Sequence, residues 1–317
     1  MGAPTGEKRE RRNYSFKETK AEFIPLKNLT RKLFRDIFRK KKKGKRMSKK
    51  KKIVIGIVSV ILVLVLLVAG LVIDFLMPSN KLYYKNDKEI LIPVFVYHDI
   101  VEEIEGPEYM QTEKDNFIEQ IEGLQKIGYE FISYEDLKKY DQNQKALPEK
   151  VAILSFDDGY EGNYKILYPI VKEKNIKVEI AVINDQIGKT GYLNWEQIKE
   201  MEDSGLVTIG SHGKSHIDYT QIAPEQFKQD ILFTFKQIEE QVGKQEVNVF
   251  VYPYGLVNDQ LIESLQDQDI IQNLTDNKVN NSKKLDLDRL HREYPLNDSV
   301  FKIILKTFYR SVRYGDK

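Results

Sequence analysis

Ile53 to Ile73 is a run of 21 residues without a charged side chain, IVIGIVSVILVLVLLVAGLVI. A helix of that length spans roughly 31 Å, the thickness of a bilayer core. Helices inside globular cores are rarely apolar on every face for so many turns. The run therefore predicts a membrane-spanning anchor over residues 53–77. The Lys-rich stretch KKKKGKRMSKKKK precedes it directly, and Asp74 to Asn80 carries no positive charge. That asymmetry places the N-terminus in the cytoplasm and residues 80–317 outside. The run exceeds the roughly 7–15 apolar residues of a signal peptide and lacks a clear A-x-A site, so an uncleaved anchor is expected.

Charge divides the chain at the same place. Residues 1–52 hold 21 Lys+Arg against 5 Asp+Glu, whereas residues 53–317 hold 29 against 43. In the basic tail, Leu29, Leu33, Phe34, Ile37 and Phe38 recur at helical spacing among Arg31, Lys32, Arg35 and Arg39. Two readings stay open: a basic amphipathic helix on an anionic membrane face, or a disordered tail that only sets topology. Met47 is an alternative start, because MSKKKK and the span form a complete anchor. The predicted division is a tail (1–52), an anchor (53–77), a linker (78–90) and an extracellular domain (91–317).

That domain suits one fold unit. Strand-like runs at Ile90–Tyr97, Val151–Phe156, Lys177–Ile183, Leu206–Ser211 and Val247–Tyr252 alternate with helical patterns. The helical patterns fall near Glu113–Ile127, Asn163–Lys172, Trp195–Asp203, Pro224–Val242 and Asp259–Leu265. The alternation predicts an α/β fold with parallel strands and helices outside, either a barrel or an open sheet. In such folds chemistry gathers at the C-terminal ends of strands.

Polar clusters follow those ends. Val151–Phe156 leads into Asp157-Asp158-Gly159. Two adjacent acids there repel each other unless a cation or hydrogen bonds offset the cost, although Asp-Gly alone also reads as a turn. Leu206–Ser211 leads into His212-Gly213-Lys214-Ser215-His216, which can aim two imidazoles at one ion. The chain has only four histidines and no cysteine. Cysteine chemistry and thiolate metal sites are thereby excluded. Asp with two His is a three-ligand set that suits hydrolytic zinc or a non-haem iron oxygenase. The second acid, Asp157, favours hydrolysis, which needs a base beside the attacking water. His98 ends the first strand as a candidate general acid. Tyr252-Pro253-Tyr254-Gly255 ends another with a turn able to offer a backbone N–H to an oxyanion.

Taken in order, S-F-D-D-G, S-H-G-K-S-H and Y-P-Y-G resemble the three motifs of the NodB-like polysaccharide deacetylases, family four of the carbohydrate esterases. Asn194 to Met201 resembles the segment that precedes the second motif. The resemblance runs from about Leu91 to the C-terminus. It implies a distorted (β/α)7 barrel, here preceded by the single transmembrane helix. Asp157 would be the general base. Asp158, His212 and His216 would hold a divalent metal, most often zinc. The Tyr254 N–H would stabilise the oxyanion. The implied reaction hydrolyses the N-acetyl group of a hexosamine to acetate and an amine.

Two departures matter. Val251 or Tyr252 stands where much of the family has an arginine that contacts the base. The closing segment Leu290 to Leu296 offers Arg292 in its place. The C-terminal L-x-H motif is not clear, and the context of His291 does not match it. Tyr97-His98-Asp99 instead resembles the permuted branch that includes poly-N-acetylglucosamine deacetylases, so His98 is expected to be the acid. Expected substrates are N-acetylglucosamine units of peptidoglycan, of a wall polysaccharide or its linkage unit, or of an exported polymer. Expected partners are that glycan and the membrane, not nucleic acid. The rival reading is a membrane-tethered glycan-binding protein with a degenerate site.

Overall fold

The structure, a computed structural model, describes residues 48–79 and 81–314. The readings of residues 1–47, including the basic amphipathic helix and the Met47 start, lie outside the described residues. The described residues divide into two units, with the boundary between Val68 and Ala69.

Helix α1, Lys49–Leu76, has 28 residues. Among the described residues, no helix is long and apolar enough to cross a membrane. The anchor expected over 53–77 is therefore carried by the sequence and is not established by the structure.

The second unit is built on seven parallel strands. They are β1 (Val94–Tyr97), β2 (Val151–Phe156), β3 (Val178–Val182), β4 (Val207–Ser211), β5 (Asn248–Val251), β6 (Ile270–Thr275) and β7 (Leu290–Arg292). Each pairs with the next in chain order. The two edges then meet. Val96 N–H donates to the Glu293 carbonyl and Glu293 N–H to the Val94 carbonyl, both at 2.9 Å. Curling of the sheet onto its own edge gives a nearly closed barrel, which leaves few unpaired backbone groups.

Helices fill most connections. They are α2 (Lys114–Lys126), α3 (Tyr134–Asp141), α4 (Tyr168–Lys174), α5 (Trp195–Asp203), α6 (Pro224–Val242) and α7 (Asp259–Leu265), and α8 (Val300–Tyr314) follows the last strand. Local chemistry sets their ends. Asn194 and Gln197 exchange side-chain-to-backbone hydrogen bonds and start α5, and Pro224 opens α6 where its missing N–H costs nothing. Between β6 and β7 there is only a short turn of helix, which distorts the repeat.

Strand alternation separates two cores. On β2, Ala152, Leu154 and Phe156 pack outward with Phe117, Leu124, Leu167 and Ile198 from the helices. Val151 and Ile153 pack on the other face with Val94, Val249, Ile271 and Leu290. The period of two then puts Ser155 and Asp157 on that inner face, above the apolar plug. The inner core thus ends in polar groups at the C-terminal rim of the barrel.

Candidate active site

At that rim, His98, Asp157, Asp158, His212, His216 and Tyr254 line one cavity of about 310 Å³. They come from the ends of β1, β2, β4 and β5, far apart in sequence. Six of the seven residues singled out from the sequence therefore share one wall. The seventh, Arg292, lies beneath and is wholly buried.

Asp158 Oδ1 lies 3.5 Å from both His212 Nε2 and His216 Nε2. One ligand atom from each of the three side chains falls within 4.8 Å of the others. The His212 Nδ1–H donates to the Val251 carbonyl at 2.8 Å, which turns Nε2 toward the cluster. Burial lowers the pKa of His212 to about 3 and depresses that of His216, so both imidazoles are neutral donors. Burial pushes Asp158 up to about 6. Its Oδ1 is buried and has no hydrogen-bond partner among the described residues. A buried carboxylate oxygen left orphaned between two neutral imidazoles fits a divalent cation, which would replace all three missing interactions.

Asp157 is held differently. Arg292 grips it in a two-pronged contact, Nη1 to Oδ1 at 2.7 Å and Nη2 to Oδ2 at 2.8 Å. Burial alone would raise this carboxyl. The Arg292 charge and hydrogen bonds outweigh it and hold the group well below the usual carboxylate range. Arg292 also donates to Ser155 Oγ at 2.8 Å and to Thr275 Oγ1 at 2.6 Å. Thus the arginine absent from the third motif is supplied by β7, a neighbour only because the barrel closes. Two adjacent acids acquire opposite electrostatics: one clamped as an anion, the other open to a cation.

Tyr254 sits in the left-handed region at φ +59°, and Gly255 follows at φ +67°. The Tyr254 hydroxyl donates to the His216 carbonyl at 3.1 Å, and its ring meets the His216 ring edge-on at 4.5 Å. This turn is thereby tied to the loop that carries the histidine pair. The His98 ring lies parallel to that of Tyr294, with centroids 6.0 Å apart. Its Nδ1 is buried without a partner among the described residues. His291 lies apart from the cavity and pairs with Asp276 at 2.9 Å.

Sequence reasoning missed four residues. Tyr109 and Thr275 line the cavity outside every motif, and Tyr294 lines it from the closing segment, where the sequence singles out only Arg292. Glu179 is buried in β3 and accepts from Ser155 Oγ at 2.6 Å, one residue removed from the Arg292–Asp157 pair. Burial pushes its pKa up to about 8. An acid inside the apolar run KVEIAVI was a usable signal, because charge in a buried strand needs a reason.

Comparison with known proteins places this geometry. A family profile described as "Polysaccharide deacetylase" matches residues 144–271. The Bacillus subtilis (strain 168) protein YxkH is 26% identical over 188 residues, 59% of this chain and 65% of that protein. The poly-beta-1,6-N-acetyl-D-glucosamine N-deacetylase of Staphylococcus epidermidis is 26% identical over 214 residues, 62% of this chain and 72% of that one. The Escherichia coli (strain K12) protein of the same name is 24% identical, over 54% of this chain but 31% of its own length. The chain thus spans less than two thirds of two of these relatives. Among solved structures, the Streptococcus pyogenes deacetylase PplD superposes with a TM-score of 0.62 and 24% identity, over 69% of this chain and 99% of that one. IcaB from Ammonifex degensii gives a TM-score of 0.59, 24% identity and coverage of 68% and 97%. The profile identifies residues 144–271 as a polysaccharide deacetylase domain, and the superpositions show the same fold around it.

Proposed function

We propose that this chain is a metal-dependent polysaccharide N-deacetylase. It removes N-acetyl groups from N-acetylglucosamine units of a cell-surface polysaccharide and releases acetate. The observation that carries this reading is the pairing of two sites in one cavity: the Asp158–His212–His216 cluster and the Arg292-clamped Asp157.

Asp158, His212 and His216 would hold the cation, with zinc the expected metal from their nitrogen and oxygen donors. When bound, it supplies Lewis-acid polarisation of the amide carbonyl and acidifies the attacking water. Asp157 accepts the proton of that water. Its depressed pKa makes it a weak base in bulk terms, but it is ionised at every working pH and cannot swing away. The Tyr254 backbone N–H is assigned to the developing oxyanion, and His98 to protonation of the leaving amine. The aromatic walls Tyr109, Tyr254 and Tyr294 suit the apolar face of a sugar ring.

The place of action follows from the sequence. The 21-residue apolar run and the basic stretch before it support a single-pass cell-membrane protein with the N-terminus inside and the deacetylase domain outside. Peptidoglycan, a wall polysaccharide with its linkage unit, and an exported N-acetylglucosamine polymer are all within reach of such a domain. Removal of acetyl groups would leave cationic amines on the polymer.

The test is acetate release by the full chain in detergent from these three polymers, after chelation and again with zinc added back. Zinc-dependent acetate from one polymer is the expected result and names the substrate. Zinc uptake with no acetate from any of them would overturn the reading in favour of a glycan-binding protein.

A further inference from the structure

Helix α8 presents three distinct faces. Val300, Ile303, Ile304 and Thr307 turn inward and are buried or partly buried. Phe301, Leu305, Phe308, Tyr309 and Val312 are each more than half exposed. At 3.6 residues per turn, those five side chains fall in one arc of roughly 100°. Lys302, Lys306, Arg310 and Arg313 occupy the adjoining arc of roughly 80°. The helix itself carries no acid.

Soluble surfaces scatter large apolar residues singly, and five in one stripe call for a partner. The flanking charge says which. Lys302 and Lys306 pair with Asp298, and Arg310 with Glu293. Both acids are buried. Two buried acids beneath four cations leave the outward side of this arc positive. A second copy docked through a two-fold contact would bring two such cationic arcs together with no acid on either helix to offset them. A lamella of anionic lipid satisfies both arcs at once: acyl chains take the aromatic and aliphatic side chains, and headgroups take the Lys and Arg.

We infer that α8 is an interfacial helix, through which the deacetylase domain lies on an anionic lipid surface. None of these α8 side chains lines the catalytic cavity. Contact there would hold the barrel in one orientation to the membrane plane.

The chain has no cysteine, so a single introduced one is a unique probe. Full-length protein carrying Val312→Cys, labelled with an environment-sensitive fluorophore, is reconstituted with vesicles of phosphatidylcholine alone or with phosphatidylglycerol. Glu239→Cys, on the exposed side of α6, is the control. The expected result is a blue shift and several-fold rise in emission for the α8 probe in phosphatidylglycerol vesicles, quenched by nitroxide-labelled lipid, with the control unmoved. Adding Leu305→Glu and Phe308→Glu should abolish the shift without changing the far-ultraviolet circular dichroism. No shift in either lipid would overturn the inference. An equal shift in both lipids would overturn the role of charge. A shift without lipid that disappears on dilution would overturn it in favour of a second copy.

Discussion

Three titratable side chains, Arg292, Asp157 and Glu179, are buried together at the barrel's inner pole, and their protonation states depend on one another. Arg292 and Asp157 are each buried, and removal of either partner strands the other's charge. Arg292→Met should cost about 3–5 kcal/mol near neutral pH. The sign of its pH dependence follows from Asp157, whose pKa is depressed in the fold. Its contribution is present above the unfolded carboxylate pKa and is lost as pH falls below it. The stability gap between wild type and variant, measured by denaturant unfolding, should therefore narrow below about pH 4. Glu179 has the opposite sign. Its folded pKa of about 8 lies above the ordinary 4.5. The stability it contributes is full below about pH 4.5 and is lost as pH rises toward 8. Glu179→Gln should flatten that decline, so its unfolding midpoint gains on wild type between pH 5 and pH 8.5. For chemistry, Asp157→Asn and His98→Ala should each lower turnover by about 10²–10⁴-fold while bound zinc, read by atomic absorption, is retained. Full activity in either variant would remove that residue from its assigned role.

The turn after β5 is an element that spends conformational strain to serve the site. Tyr254 and Gly255 are both left-handed, and a Cβ on Gly255 would meet the Thr275 carbonyl oxygen at 2.5 Å. Gly255→Ala should lose on the order of 1–3 kcal/mol and displace Tyr254 from His216, lowering activity more than the loss in melting temperature explains. The helices α5, α6 and α7 could be read from the sequence to the residue, because their caps, prolines and 3.6-residue periods are local. Strands β6 and β7 could not. Ile270–Thr275 contains Gln272 and Asn273, polar residues that argue against a buried strand. They are tolerated because the Tyr252 hydroxyl donates to Gln272 at 2.6 Å and the Tyr134 hydroxyl to Asn273 at 2.8 Å. Those partners sit 20 and 139 residues away, beyond the reach of any local pattern. Helix α8 needs the fold for another reason: its sequence shows apolar residues at helical spacing, and only the tertiary structure tells which of them face outward.

At the scale of the whole molecule, metal and protons compete for the same oxygen. Burial pushes the Asp158 pKa up to about 6, so a cation must displace its proton below that pH. Zinc affinity, measured by competition with a chromophoric chelator, should fall by up to about tenfold per unit below pH 6. Chelation at pH 7 should abolish acetate release and zinc should restore it. An affinity flat from pH 7 to pH 5 would remove Asp158 from the ligand set.

The sequence alone determined the chemistry available. It contained two acids at one strand end, a histidine pair four residues apart, a histidine after the first strand and no cysteine. Motif order and spacing carried the family, because each motif is a strand end and its following loop, and both are local. The 21-residue apolar run likewise needs no fold to be legible. Tertiary structure decided how those groups share charge. Only closure of the sheet, β7 against β1, carries Arg292 under Asp157 across 135 residues. Only the buried Arg292 clamp keeps one acid a fixed anion, and only burial raises its neighbour Asp158 and makes Glu179 a neutral acid. Desolvation depends on what surrounds a group on every side, and a linear chain does not state that.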